Sequence, residues 1–271
     1  MKTWITIFFR AIAVIIILVL PFLPITESFF LPENQVNYDT FSQYIVLCVG
    51  IIAIGFGLVY FLKKTNSFSG WLFFMIGMIA IFPLHLGAPR EDAQLLTFSA
   101  IEKFRYGMLL IAVLLLVLGG LKILADFKTT LGKITIAILA ITVLLNIWDN
   151  FSSFIFSSKM QDWTASGKNA DDFTKQFDYN IHWRTIARVL LYISAVLIAF
   201  VLTTYTQIRK WQLALLSIFS LVGATFCGLF FIKSDFQYYF PFMVPAIALA
   251  PSYWIGIMLL SNKNTLNKAS S

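Results

Sequence analysis

Apolar residues in this chain fall into eight long runs separated by short polar connections, without the polar/apolar alternation of an amphipathic soluble element. The runs cover 4–25, 42–62, 69–88, 105–125, 131–156, 183–207, 211–232 and 240–261. Each holds about the 20 residues that a helix needs to cross a hydrocarbon layer ~30 Å thick. In lipid, a helix satisfies its backbone polar groups within one segment, so these runs predict transmembrane helices. The fold class that follows is an all-α integral membrane protein: a polytopic, multi-pass bundle of about eight transmembrane helices. It forms one domain over 1–262, followed by a short polar tail at 263–271.

Two runs carry complications. The first is flanked by Lys2 and Arg10, as a signal peptide would be, but its apolar run is longer than such a peptide's hydrophobic region. No small-x-small cleavage pattern follows at Pro24-Ile25-Thr26-Glu27, so a retained span is expected. The last run is interrupted by Pro241, Pro245 and Pro251, which allows a kinked or partly re-entrant segment.

Composition agrees with the runs: 59% of residues are hydrophobic and 12% are charged, against about 25% charged in an ordinary soluble domain. A soluble fold of this size could not bury that apolar surface, and the lipid bilayer is the expected surrounding. A net charge of +7 raises the question of nucleic acid. The basic residues stand in pairs at run ends and form no phosphate-binding stripe, so no nucleic acid partner is expected.

The charges also orient the chain. One set of run ends carries eleven Lys/Arg, from Lys2 and Arg10 through Lys63, Lys64, Arg209 and Lys210 to Lys268, with Asp126 as its only acid. The other set carries nine Lys/Arg and twelve acids. The first set sits in short turns, where orientation is decided, so both termini are expected in the cytoplasm. The expected location is the cytoplasmic (inner) membrane of a bacterium. The longest connection, 157–182, has room for a short amphipathic helix capped by Asn169, with Phe173, Phe177 and Ile181 on one stripe. A likeness between Tyr60-Phe61-Leu62-Lys63-Lys64 and Tyr205-Thr206-Gln207-Ile208-Arg209-Lys210, each leading to a Trp, raises an internal duplication. Recurrence of these residue types at cytoplasmic boundaries explains it as well.

Motifs for known chemistries are missing. Cys48 and Cys227 lie in separate runs with no second thiol nearby, and small packing residues are their expected role. His85 and His182 fall near outer run ends, too shallow for a paired haem site, and there is no zinc, serine-hydrolase or P-loop motif. Neither a metal nor a cofactor is expected.

One polar constellation stands above the background, at the depth of the outer third of the bilayer. Asn146 and Asp149 share a face of the fifth run, while Arg184 and Arg188 lie one turn apart on the sixth, followed by Tyr192. Glu102 and Arg105 open the fourth run, His85 closes the third and His182 precedes the sixth. Ionisable groups inside spans are expensive to bury and mark functional or structural contacts. The cluster reads either as a ligand site, with Arg184 and Arg188 gripping a phosphate or carboxylate, or as a structural Arg188–Asp149 pair with Arg184 and Arg105 snorkelling to headgroups. Three functions stay open. A non-enzymatic accessory protein acting on another membrane protein is favoured. The others are a small transporter or channel for an anionic small molecule, and an intramembrane enzyme acting on a lipid headgroup or lipid-linked substrate.

Overall fold

The structure, a computed structural model, describes residues 2–23, 41–62, 70–85, 99–125, 129–169, 172–173, 181–205, 208–232 and 242–261. Its long elements are all helical, in chain order α1 Lys2–Val19, α2 Phe41–Leu62, α3 Gly70–Ile81, α4 Ser99–Leu124, α5 Thr130–Ala165, α6 Ile181–Thr204, α7 Lys210–Leu229 and α8 Pro245–Ser261. No strand occurs among the described residues. Six helices (α1, α2, α4, α5, α6 and α7) are long and apolar enough to cross a membrane. Their outward faces are apolar, as at Phe8, Val46, Leu144 and Ile218, which are more than half exposed. Lipid solvates such surfaces and water does not, so the chain is membrane-embedded.

Local chemistry sets the helix ends. Thr129 caps α5, its Oγ1 accepting from the N–H of Gly132 at 3.1 Å. The side-chain oxygen of Gln212 accepts from the N–H of Arg209 at 3.0 Å and closes the start of α7. Two apolar runs form shorter helices than their length suggests. α3 has 12 residues, about 18 Å, and gives way to a 3₁₀ turn at Pro83–His85, where proline cannot continue the α-helical hydrogen bonds. α8 begins on Pro245 and has 17 residues, with Pro251 inside it.

α5 overruns its expected end at 156. Its 36 residues extend about 54 Å, against a hydrocarbon layer of ~30 Å, so its last turns project beyond the apolar layer. The helix stops at Gly167, whose positive φ of 79° suits a residue without a Cβ. Phe173, expected on one stripe with Phe177 and Ile181, packs back onto this projection, its ring 5.1 Å from Phe156 and 5.6 Å from Trp163. Trp163 also donates its Nε1–H to the carbonyl of Asn169 at 2.8 Å. Phe177 lies outside the described residues, as do residues 170–171 and 174–180 of the segment that Asn169 would cap.

α3 through α7 pack in sequence order, each long helix against the next, and α8 inserts among α6, α3, α7 and α2. α8 is therefore the core: Ala246, Ile247, Ala248, Ala250, Tyr253 and Ile255 are almost fully buried. The two short helices are enclosed by the long ones and need not match the bilayer on their own. α1 and α2 pack more loosely at one side. The two halves thus differ in packing, since α5 and α6 pair closely and α1 and α2 do not.

Candidate functional site

α5 and α6 meet along a polar seam. Thr142, Asn146 and Asp149 follow each other at four- and three-residue intervals, which puts them on one stripe of α5, and all three are buried. At the deep end, Thr142 Oγ1 lies 2.9 Å from Ser194 Oγ on α6. The amide nitrogen of Asn146 donates to the Thr142 carbonyl at 2.7 Å, which turns its oxygen outward along the seam.

Arg188 of α6 fills the centre and is 3% exposed. Its Nη1 donates to Asn146 Oδ1 at 2.6 Å and its Nη2 to Asp149 Oδ2 at 2.7 Å. Its Nε donates to the carbonyl of Met243 at 3.0 Å. One turn outward, Arg184 Nε donates to the other carboxylate oxygen of Asp149, Oδ1, at 3.0 Å. Asp149 therefore bridges two guanidiniums, in charge-assisted bonds of the stronger kind. Arg184 is not simply snorkelling, as one sequence reading had it. It shares the acid with Arg188.

The third wall is backbone. Pro245 has no N–H, and the N–H groups of Ile247 and Ala248 both turn to the carbonyl of Val244, at 3.0 and 3.2 Å. The carbonyls just before this point accept from side chains instead. Tyr192 donates its hydroxyl to Phe242 O at 3.2 Å, and Cys227 of α7 donates its thiol to the same oxygen at 3.3 Å. Gly223 of α7 lets the Tyr192 ring come this close, because a Cβ there would stand 2.4 Å from its Cζ. Two helices, α6 and α7, thus hold the segment leading into α8 through its own carbonyl groups.

Among the described residues, the cavity found beside the cluster is small. A cavity of about 20 Å³ lies between Asn146, Asn150, Arg188 and the apolar side chains of Ile81, Leu109, Val113 and Leu249. That is room for about one water, whereas ligand pockets run to ~300 Å³ and more.

The remaining sequence candidates do not join the seam. His182 precedes Arg184 by two residues, which puts it on the far side of α6, where it is exposed beside Phe230 and Phe231. Arg105 of α4 is buried with its guanidinium 4.6 Å over the Tyr106 ring. The side chains of Glu102 and His85 lie outside the described residues. Among the described residues, no group of three or more His, Cys, Asp or Glu could hold a metal. Sequence reasoning missed the carbonyls of Phe242 and Met243 and the thiol of Cys227. The only signal for them was Pro245. Comparison with family models, with curated proteins and with solved structures finds no match to this chain.

Proposed function

We propose that this chain is an eight-span membrane protein with both termini in the cytoplasm, and that it works by contact with another membrane protein rather than by catalysis or transport. The observation that carries this reading is the closure of the polar cluster. Both oxygens of Asp149 are held by arginines, and Arg188 directs Nε, Nη1 and Nη2 to a carbonyl, an amide and a carboxylate of the protein itself. A transport or catalytic group must exchange partners with its substrate. Here the positions of Asp149 and Arg188 are filled and the adjoining cavity takes about one water. The seam fastens α5, α6 and α8 together, which leaves the outward faces to carry the function.

Charge distribution supports the orientation, since the turn 63–69, the turn 206–209 and the tail hold the basic excess. The eight-span count rests on α3 and α8 as enclosed short spans beside the six long helices.

A second reading has one observation behind it. Arg184, Arg188 and Asp149 sum to one net positive charge, and the Arg184 side chain stays 31% exposed. An anionic small molecule or lipid headgroup at the outer end would fit that charge, as a small transporter or an enzyme on lipid-linked substrates requires.

Photo-reactive residues at Phe8, Val46, Leu144 and Ile218, which face outward from four different helices, test the proposal in native membranes. A discrete protein adduct from one face and none from the others is expected. Adducts to lipid alone from all four positions would overturn it. Facilitated flux of an anion through reconstituted vesicles, lost in Arg184→Gln, would put the second reading in its place.

A further inference from the structure

α1 is fastened to the rest of the bundle past its midpoint. Near its C-terminal end, the carbonyl of Leu18 accepts from Trp254 Nε1 at 3.3 Å, and Phe22 packs on the rings of Phe219 and Trp254 at centroid distances of 6.4 and 6.0 Å. Toward its N-terminus the helix stands off from α2 and leaves a groove of about 410 Å³, lined by Ile5, Phe9, Ile12, Ile16, Leu58 and Phe61. Thr6 is the only polar side chain in this lining.

Arg10 stands beside the groove. It lies six residues past Trp4, about 9 Å along the axis, and it is exposed on the surface that the bilayer covers. Its guanidinium carbon lies 5.9 Å from the centre of the Phe61 ring, a groove residue one position short of the end of α2. Helical side chains lean toward the N-terminus, so Arg10 leans toward the interface where Trp4 sits. Among the described residues no carboxylate pairs with it. A cation at this depth needs an anion, and the positive end of the α1 dipole points the same way.

From the open apolar groove and the uncompensated cation at its rim, we infer that the α1–α2 groove binds one anionic glycerophospholipid. An acyl chain lies along Ile5 to Ile16, and the phosphate sits on Arg10. Length selects this occupant over a partner helix. Ile5 to Ile16 is eleven helical rises, about 16 Å, close to half of a ~30 Å hydrocarbon layer and so to one leaflet. A spanning partner helix would need the groove to continue, and the packing of Phe22 on Phe219 and Trp254 closes it. The inference is independent of the closed seam between α5 and α6 and survives if the proposed function fails.

Native mass spectrometry of the delipidated protein, titrated with phosphatidylglycerol or phosphatidylcholine, tests it. The wild-type chain should retain one phosphatidylglycerol with about a fivefold preference, the equivalent of one interfacial cation. Arg10→Gln should bring the ratio to about one, and Arg10→Lys should restore it. Ile12→Trp fills the groove while keeping the charge, and should lose both lipids. Excess inorganic phosphate should displace nothing. Equal retention of the two lipids by the wild type, an undiminished preference in Arg10→Gln, full retention in Ile12→Trp or displacement by phosphate would each overturn the assignment.

Discussion

Arg188 and Asp149, on neighbouring helices, meet at 2.7 Å with both side chains 4% exposed. Asp149 is simultaneously 3.0 Å from Arg184, so two bases share one acid inside a span, where an ionisable group is costly without a partner. Removing a partner from such a group leaves a buried charge whose desolvation nothing offsets. Which partner is removed decides how much is left uncompensated.

This asymmetry gives the first prediction. Arg188→Ala leaves Asp149 still paired to Arg184, but leaves the Met243 carbonyl and Asn146 Oδ1 without their donor, and should destabilise by about 3 kcal/mol. Asp149→Asn leaves two facing cations with no anion and should be the worse change, nearer ~5 kcal/mol. The double variant Arg188→Ala/Asp149→Asn should fall well short of the sum, because the two changes remove one interaction. Thermal unfolding in detergent measures all three. Additive losses, or an Arg188→Ala protein as stable as wild type, would sink the structural reading of the pair.

A second prediction separates a hydroxyl from a shape. Tyr192→Phe removes one donor to Phe242 O but leaves Cys227 on that oxygen, so about 1 kcal/mol is expected. Gly223→Leu would drive a side chain into the Tyr192 ring, where a Cβ alone comes within 2.4 Å. That displaces the ring from the seam and should cost about 1–3 kcal/mol. Unfolding midpoints that ranked Tyr192→Phe as the worse of the two would contradict this packing.

These contacts also show what could be read from the chain alone. Helical spacing put Asn146 with Asp149 and Arg184 with Arg188, because side chains three and four residues apart share a face. The same rule, applied strictly, separates His182 from Arg184, since two residues is about half a turn. The carbonyls of Phe242 and Met243 could not be read, because backbone acceptors leave no mark in residue identity. Pro245 is their only trace. The overrun of α5 was hidden for another reason. Apolarity falls after Phe156, but helix formation does not require apolarity once Phe173 covers the projecting turns. The six long spans were legible because length and apolarity suffice for them, whereas the extents of α3 and α8 depend on proline placement and on burial by neighbours.

The third prediction concerns orientation. Cys48 and Cys227 are buried, so they should stay silent toward a membrane-impermeant maleimide. Single cysteines replacing Gln35 or Lys168 should label in intact cells, and one replacing Lys268 only after permeabilisation. Labelling of positions 35 and 268 from the same side would refute the eight-span arrangement with cytoplasmic ends.

The last prediction concerns the projecting end of α5. Phe173 is buried against Phe156, Met160 and Trp163 in a cluster separate from the main core. Lys168 places its Nζ 4.3 Å over the Trp163 ring, whose Nε1 holds the Asn169 carbonyl at 2.8 Å. Trp163 thus anchors the chain on both sides of the Gly167 turn by stacking, a hydrogen bond and apolar contact. Trp163→Ala removes all three at once, but touches nothing in the seam between α5 and α6. Trypsin should then cut at Lys168 and Lys175 about tenfold faster, as expected when a local unit loses on the order of 1.4 kcal/mol. The thermal midpoint of the bundle should barely move, because sub-global opening and global unfolding draw on different contacts. Phe173→Ala should act in the same direction and more weakly, since it leaves the indole hydrogen bond in place. Cleavage no faster in Trp163→Ala than in wild type would mean that the projection is held by something other than this aromatic cluster. A matching fall in the thermal midpoint would mean that the two clusters unfold as one unit.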